Sequence, residues 1–217
     1  MKTGVLFDLD GTLLSTLEDL ADAVNYTLRH FGCPERTLDE VRSFVGNGAK
    51  VLVASALPGK ETDPSAEEAL RFFQAYYAHH CQIKTRPYDG ILEALAEIRR
   101  EYPVAIVSNK PDIATKPMCK AYFGDEIFAL GQQDAIPRKP APDMLAVAMK
   151  EIGADTCIYV GDSEVDVLTA KNTGVPCLSV LWGFRDQETL AENGAEHFCE
   201  DPKNLVACLK EMIENGK

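Results

Sequence analysis

The chain has 217 residues, 46% apolar and 26% charged, enough to bury a substantial core in one domain or in one domain carrying an insertion. Its formal net charge of −12, with no Lys/Arg run to break the acidic background, excludes a nucleic-acid phosphate surface. No apolar stretch approaches membrane-spanning length, and the opening residues already form a strand with two acids where a leader peptide would lie, so a cytoplasmic protein is expected.

The first element in chain order is a short apolar β run over residues 5–9 that breaks at Gly11 and carries Asp8 and Asp10. Side chains two apart on a strand share a face, so continued pairing would place two like charges a few ångströms apart. Such a pair needs either a cation or a proton on one acid; the bland alternative is two solvated acids in a turn. From about residue 17 to 88 every plausible element is helical. Leu17, Leu20, Ala21, Val24, Leu28 and Phe31 make one apolar stripe, and Leu70, Phe73 and Tyr77 make another. That length exceeds an ordinary crossover, so residues 16–86 are read as an inserted helical domain, with 1–15 and 87–217 forming the core.

After the Arg86-Pro87-Tyr88-Asp89-Gly90 turn the pattern becomes regular alternation. Helical periodicity over 91–102, 113–123, 143–152 and 165–173 separates near-continuously apolar runs at 104–107, 157–160 and 177–181, with a weaker run at 127–130. Runs of that kind are covered on both faces, as in a doubly wound parallel sheet of the α/β class. Pro142 and Asp143 open the 143–152 helix and Gly153 closes it. The seven cysteines show no zinc-like spacing and read as reduced thiols, Cys157 and Cys177 as small buried hydrophobes. His79, His80 and His197 are placed at exposed helix ends rather than at a metal, and the Asn25-Tyr26-Thr27 glycosylation pattern is set aside.

Polar residues gather at the carboxyl ends of the apolar runs: Asp8 and Asp10, then Ser108-Asn109-Lys110, then Gly161-Asp162-Ser163-Glu164-Val165-Asp166. Ligands of open parallel sheets bind at that rim, so three separate groups converge on one place. Each alone has a dull account, as a turn, a helix N-cap or a first-turn acid. Together the acids make an oxygen-rich site suited to magnesium. The chain's overall charge repels anionic substrates, so phosphate would need a locally positive site, and Lys139, in a stiff Pro-bounded loop, is a candidate cation.

Asp-Leu-Asp-Gly-Thr at 8–12, Val-Ser-Asn at 107–109, Lys-Pro-Ala-Pro at 139–142 and Gly-Asp-Ser-x-x-Asp at 161–166 resemble, in order and spacing, the four motifs of the haloacid dehalogenase superfamily. The helical insert is similar to that superfamily's four-helix cap. Ser108-Asn109-Lys110-Pro111, Val45-Gly46-Asn47-Gly48 and the residues from Gly161 onward most resemble its phosphoglycolate phosphatase group. The resemblance implies Asp8 as nucleophile, Asp10 as general acid and base, and Mg2+ on Asp8, Asp162 and the main-chain carbonyl of Asp10. Ser108 and Lys139 would hold the phosphoryl oxygens, Thr12 and Asn109 would bind substrate, and Asp166 would orient a metal-bound water or Lys139. Gly46, Asn47 and Gly48 would reach the substrate's other end. The implied partner is a small phosphorylated metabolite, 2-phosphoglycolate first; other small phosphates, a β-phosphoglucomutase-like activity and a phospho-receiver module are the alternatives. The sequence leaves the oligomeric state open.

Overall fold

The computed structural model describes residues 1–215, which divide into two compact units, one made of Met1–Leu14 with the chain from Pro87 onward and the other of Ser15–Arg86. The chain leaves the first unit and returns to it at two short strands, β2 (Leu14–Ser15) and β3 (Arg86–Pro87).

The first unit is a six-stranded parallel sheet built on β1 (Thr3–Phe7), β4 (Val104–Pro111), β5 (Phe128–Gln132), β6 (Thr156–Gly161), β7 (Cys177–Val180) and β8 (His197–Cys199). Their spatial order is β5-β4-β1-β6-β7-β8. Val5 pairs with Val104 on one side and Ile158 on the other, and Phe7 with Ile106 and Val160. Successive residues face opposite sides of a sheet, and both sides are covered here. Leu6, Ala105, Val107, Cys157 and Tyr159 pack with Met144, Leu145 and Ala148 of α7 (Asp143–Glu151) and Ala170 of α8 (Glu164–Thr173). Val5, Phe7, Ile106, Ile158 and Val160 point the other way and are buried as well. Burial on both faces is why these runs lack polar alternation, and each large side chain so placed contributes about 1.5–3 kcal/mol.

The chain forms β1, β4 and β5 in one direction, then crosses back to place β6 on the free side of β1. The order therefore reverses at β1, and the carboxyl ends of β4, β1 and β6 lie side by side, as a doubly wound sheet requires of its binding crevice. Helices α5 (Ile91–Glu101) and α6 (Asp112–Phe123) lead into β4 and on to β5, while α9 (Gln187–Glu192) and α10 (Leu205–Asn215) follow β7 and β8. Gly90 opens α5 at φ 94°, a left-handed conformation that suits a residue without Cβ. Lys210 of α10 pairs with Glu97 and Glu101 of α5, each at 3.1 Å.

The second unit is helical: α1 (Leu17–His30), α2 (Leu38–Phe44), α3 (Gly48–Ala56) and α4 (Ala66–His80). The apolar stripe of α1 is buried at Leu17, Leu20, Ala21, Val24 and Leu28, and α4 buries Phe73 and Tyr77. Outside that core Tyr26 stacks on Tyr76 and Phe72 at centroid distances of 3.9 and 5.5 Å. Thr37 and Glu40 form a reciprocal capping box that starts α2. Asp19 is buried, and its carboxylate accepts backbone N–H bonds from Ile83, Lys84 and Thr85 at 2.8–3.1 Å, fixing the segment that follows α4.

Three details depart from the sequence expectations. The first strand ends at Phe7, so Asp8 and Asp10 lie beyond it, although the Asp8 N–H still donates to Val160 O at 2.8 Å. His197 is in β8, not at a helix end, because three residues pairing with β7 extend the sheet there. The two acids do not share one environment, for the reasons that follow. Among the described residues no helix is long and apolar enough to cross a membrane.

Candidate active site

The rim at the ends of β1, β4 and β6 gathers the charged groups. Asp8 comes from just past β1, Ser108, Asn109 and Lys110 from the last residues of β4, and Asp162 from just past β6. Asp166 sits in the first turn of α8 and Lys139 in the loop before α7, where a cis peptide joins it to Pro140. Asp8, Asp162, Asp166 and Lys139 are buried.

Carboxylate oxygens of Asp8, Asp162 and Asp166 lie within 4.8 Å of one another. Lys139 Nζ stands among them, 2.8 Å from Asp8 Oδ1, 2.7 Å from Asp166 Oδ1 and 2.8 Å from the Tyr159 hydroxyl. Those three partners match the three donors of an ammonium. The Asn109 side-chain amide fixes the Lys139 main chain on both sides, donating to its carbonyl and accepting from its N–H, each at 3.0 Å.

Asp166 is saturated. Its Oδ1 accepts from Lys139 and from the Tyr159 hydroxyl at 2.9 Å, and its Oδ2 accepts from the Ser163 hydroxyl at 2.6 Å and the Ser163 N–H at 3.1 Å. The helix-capping account of Ser163 and Asp166 is therefore correct as far as it goes, and the same carboxylate also anchors Lys139. Burial works against its ionisation, but Lys139 and these donors outweigh burial and hold it below the ordinary carboxylate range.

Asp162 accepts one bond at each oxygen, from the Thr12 hydroxyl at 2.9 Å and from the Phe184 N–H at 2.8 Å. Burial pushes its carboxyl well above the ordinary value, with the Asp166 and Asp8 carboxylates adding to the effect. Burial likewise raises Asp8 to about 7; Lys139 opposes the rise and Asp166 reinforces it. Three clustered acids against one ammonium carry more negative charge than a buried site holds without a proton or a cation. The donors are all hard oxygens, so the set fits a hard divalent cation. Asp8 and Asp162 are the members with capacity to bind it, since both oxygens of Asp166 are already taken.

Glycines let these groups approach. A Cβ on Gly11, which has φ 89°, would lie 2.3 Å from Asp162 Oδ2; one on Gly183 would lie 2.3 Å from Asp162 Cβ, and one on Gly161 2.3 Å from Asp166 Cβ. The segment after β7 closes this side: Trp182 Nε1 donates to Thr12 O at 2.9 Å, and Arg185 pairs with Glu164 at 2.7 Å.

Asp10 stands apart from the acid cluster. Its carboxylate oxygens lie 3.0 and 3.2 Å from Lys110 Nζ, and the Lys110 side chain is 4% exposed. Ser108 is buried beside it, its hydroxyl accepting the Lys110 N–H at 3.2 Å. Gly46 and Asn47 lie in the helical unit between α2 and α3, and Gly48 begins α3.

The sequence reading did not assign roles to Tyr159, Gly183 or Lys110. Lys110 was visible beside Ser108 and Asn109, but its pairing with Asp10 across one hundred residues was not. Tyr159 looked like one more strand hydrophobe.

The haloacid dehalogenase-like hydrolase family model matches residues 5–180. The chain belongs to that family. It is 35% identical to the phosphoglycolate phosphatase of Colwellia psychrerythraea, over 96% of this chain and 97% of that protein. It is 34% identical to phosphoglycolate phosphatase 1 of Pseudomonas aeruginosa, over 97% of this chain and 80% of that one. A solved structure from Lactobacillus delbrueckii subsp. bulgaricus aligns with a TM-score of 0.89 at 35% identity, covering 96% of this chain and 99% of that chain. A haloacid dehalogenase-like family protein from Streptococcus pneumoniae aligns at 0.86 and 25% identity, covering 95% and 97%. The catalytic class of this haloacid dehalogenase-like hydrolase is that of a phosphatase.

Proposed function

We propose that the chain is a magnesium-dependent phosphomonoester hydrolase that carries the phosphoryl group on Asp8 and acts on a small phosphorylated metabolite, with 2-phosphoglycolate as the first candidate. The observation that carries this reading is the placement of Asp8 Oδ1 2.8 Å from Lys139 Nζ, inside a cluster with Asp162 and Asp166. The substrate suggestion rests on the names of the curated relatives.

Asp8 and Asp162, with the main-chain carbonyl of Asp10, would hold the ion, which when bound supplies the charge compensation that lets an anionic nucleophile meet an anionic phosphoryl group. The chain's own groups do the rest. Asp8 attacks phosphorus and its oxygen forms the new P–O bond as the ester oxygen departs. Asp10 protonates that oxygen and later takes a proton from the water that cleaves the acyl phosphate. Ser108 donates to the equatorial oxygens, where charge is spread in a loose transition state, and Lys139 turns to them the N–H that faces Asp8. Asn109, Tyr159 and Asp166 keep Lys139 aimed, and Thr12 keeps Asp162 aimed. Thr12 donates to Asp162 and Asn109 bonds the Lys139 main chain, which favours positioning over direct substrate contact for both.

A panel of phosphomonoesters, assayed for free phosphate with and without magnesium, tests the proposal. The expected result is metal-dependent release, fastest from 2-phosphoglycolate. Hexose phosphate isomerised without net release would favour a mutase instead, and an unhydrolysed, long-lived phosphoprotein would favour a receiver.

A further inference from the structure

Resting on that reading, we infer that Lys110 is the specificity-determining residue of the site, selecting phosphomonoesters that carry a carboxylate on the carbon bonded to the ester oxygen. Lys110 ends the polar run of β4, and its ammonium sits across both oxygens of Asp10 at 3.0 and 3.2 Å. It is the second ammonium of the site. The first, on Lys139, is committed to Asp8, Asp166 and Tyr159 and so belongs to the phosphoryl end.

The geometry ties Lys110 to the other end of the substrate. A general acid stands about 2.6–3.2 Å from the oxygen it protonates, so an ammonium 3.0 Å from Asp10 lies within about 6 Å of the ester oxygen. A carboxylate one carbon removed from that oxygen projects its own oxygens about 2.7–3.6 Å away, by ordinary bond lengths. That reach brings a carboxylate oxygen within hydrogen-bond range of an ammonium so placed. The ammonium is nearly shielded from water, at 4% exposure, where an ion pair is stronger than at the surface. A carboxylate arriving there accepts from the Lys110 ammonium alongside Asp10, which an ammonium's three donors allow. An uncharged substituent offers this buried ammonium no acceptor, and sites built around a polar partner discriminate strongly against analogues lacking it.

The test compares kcat/KM for 2-phosphoglycolate and for ethyl phosphate, which differ only in replacing the carboxylate by a methyl group, in the magnesium-loaded wild type and in Lys110→Met, Lys110→Gln and Lys110→Arg. The wild type is expected to favour the carboxylated ester by at least about 100-fold. In Lys110→Met both activities fall, but the preference shrinks at least tenfold, chiefly through KM for the carboxylated ester, and Lys110→Arg recovers part of it. If Lys110→Met does not fold by circular dichroism, Lys110→Gln gives the same reading. An unchanged preference in the variants, or no preference in the wild type, overturns the inference and reduces Lys110 to a positioning residue for Asp10. Hydrolysis of other monoesters but not of 2-phosphoglycolate also overturns it while leaving the phosphatase reading intact. Hydrolysis of no monoester at all overturns both.

Discussion

Lys139 spends its three N–H donors on Asp8, Asp166 and Tyr159, so its position is set by groups from β1, α8 and β6 at once. The Tyr159 hydroxyl is the uncharged member of this set. It is fully buried, accepts from Lys139 and donates to Asp166. Tyr159→Phe removes one oxygen and leaves the ring in place, so the sheet should hold while Lys139 loses a constraint; a buried hydrogen bond to a charged group is worth about 1.5–3 kcal/mol. Steady-state kinetics should show kcat lower by roughly 10-fold, with KM changed less than about threefold. An equal loss in a Tyr159→Phe protein with an altered circular dichroism spectrum and a KM raised as much as kcat falls would point to general disruption instead. Burial pushes the Cys157 thiol up to about 12, so this neighbour within the same strand is inert filling, as its apolar surroundings in the sequence suggested.

At the scale of elements, the segment after β7 is as much a part of the site as the four motifs. Gly183 touches Asp162 so closely that a Cβ would lie 2.4 Å from its Oδ2, while Phe184 donates its N–H to the same oxygen. Gly183→Ala should displace Asp162, cost about 1–3 kcal/mol in urea unfolding and lower activity at least 100-fold. Gly194→Ala, at φ 98° with open space around it, should cost about 1 kcal/mol and keep its activity. Sequence alone carried the strands because burial on both faces writes itself as a continuous apolar run, and it carried the acids because they follow those runs. It did not carry β8, a three-residue strand with an exposed histidine, since nothing in His197-Phe198-Cys199 has a strand's length or pattern. Nor did it reveal Tyr159 with Lys139, Gly183 with Asp162, or Asp19 with the backbone of 83–85, because each joins residues whose proximity only the folded topology creates.

For the molecule as a whole, the acid cluster exacts a cost in stability that a bound cation would remove. In the metal-free protein Asp8 holds its proton up to about pH 7, and Asp162 also keeps its proton above the usual range. The unfolded chain gives up both protons near pH 4. Between about pH 4 and 7 the folded state thus binds more protons than the unfolded one, and stability falls as pH rises through that window. Calorimetry in chelator should show the melting temperature dropping from pH 5 to pH 8, and magnesium should restore more of it at pH 8 than at pH 5. An identical magnesium effect at both values would detach the cluster from metal binding.

In the proposed mechanism Asp8 becomes phosphorylated during turnover. Mixing the magnesium-loaded protein with excess 2-phosphoglycolate, quenching in acid within milliseconds, reducing any acyl phosphate with borohydride and sequencing peptides by mass spectrometry tests it directly. The expected result is a reduced side chain at position 8 and none at positions 10, 162 or 166. Rapid phosphate release with Asp8 unmodified at every quench time would contradict it.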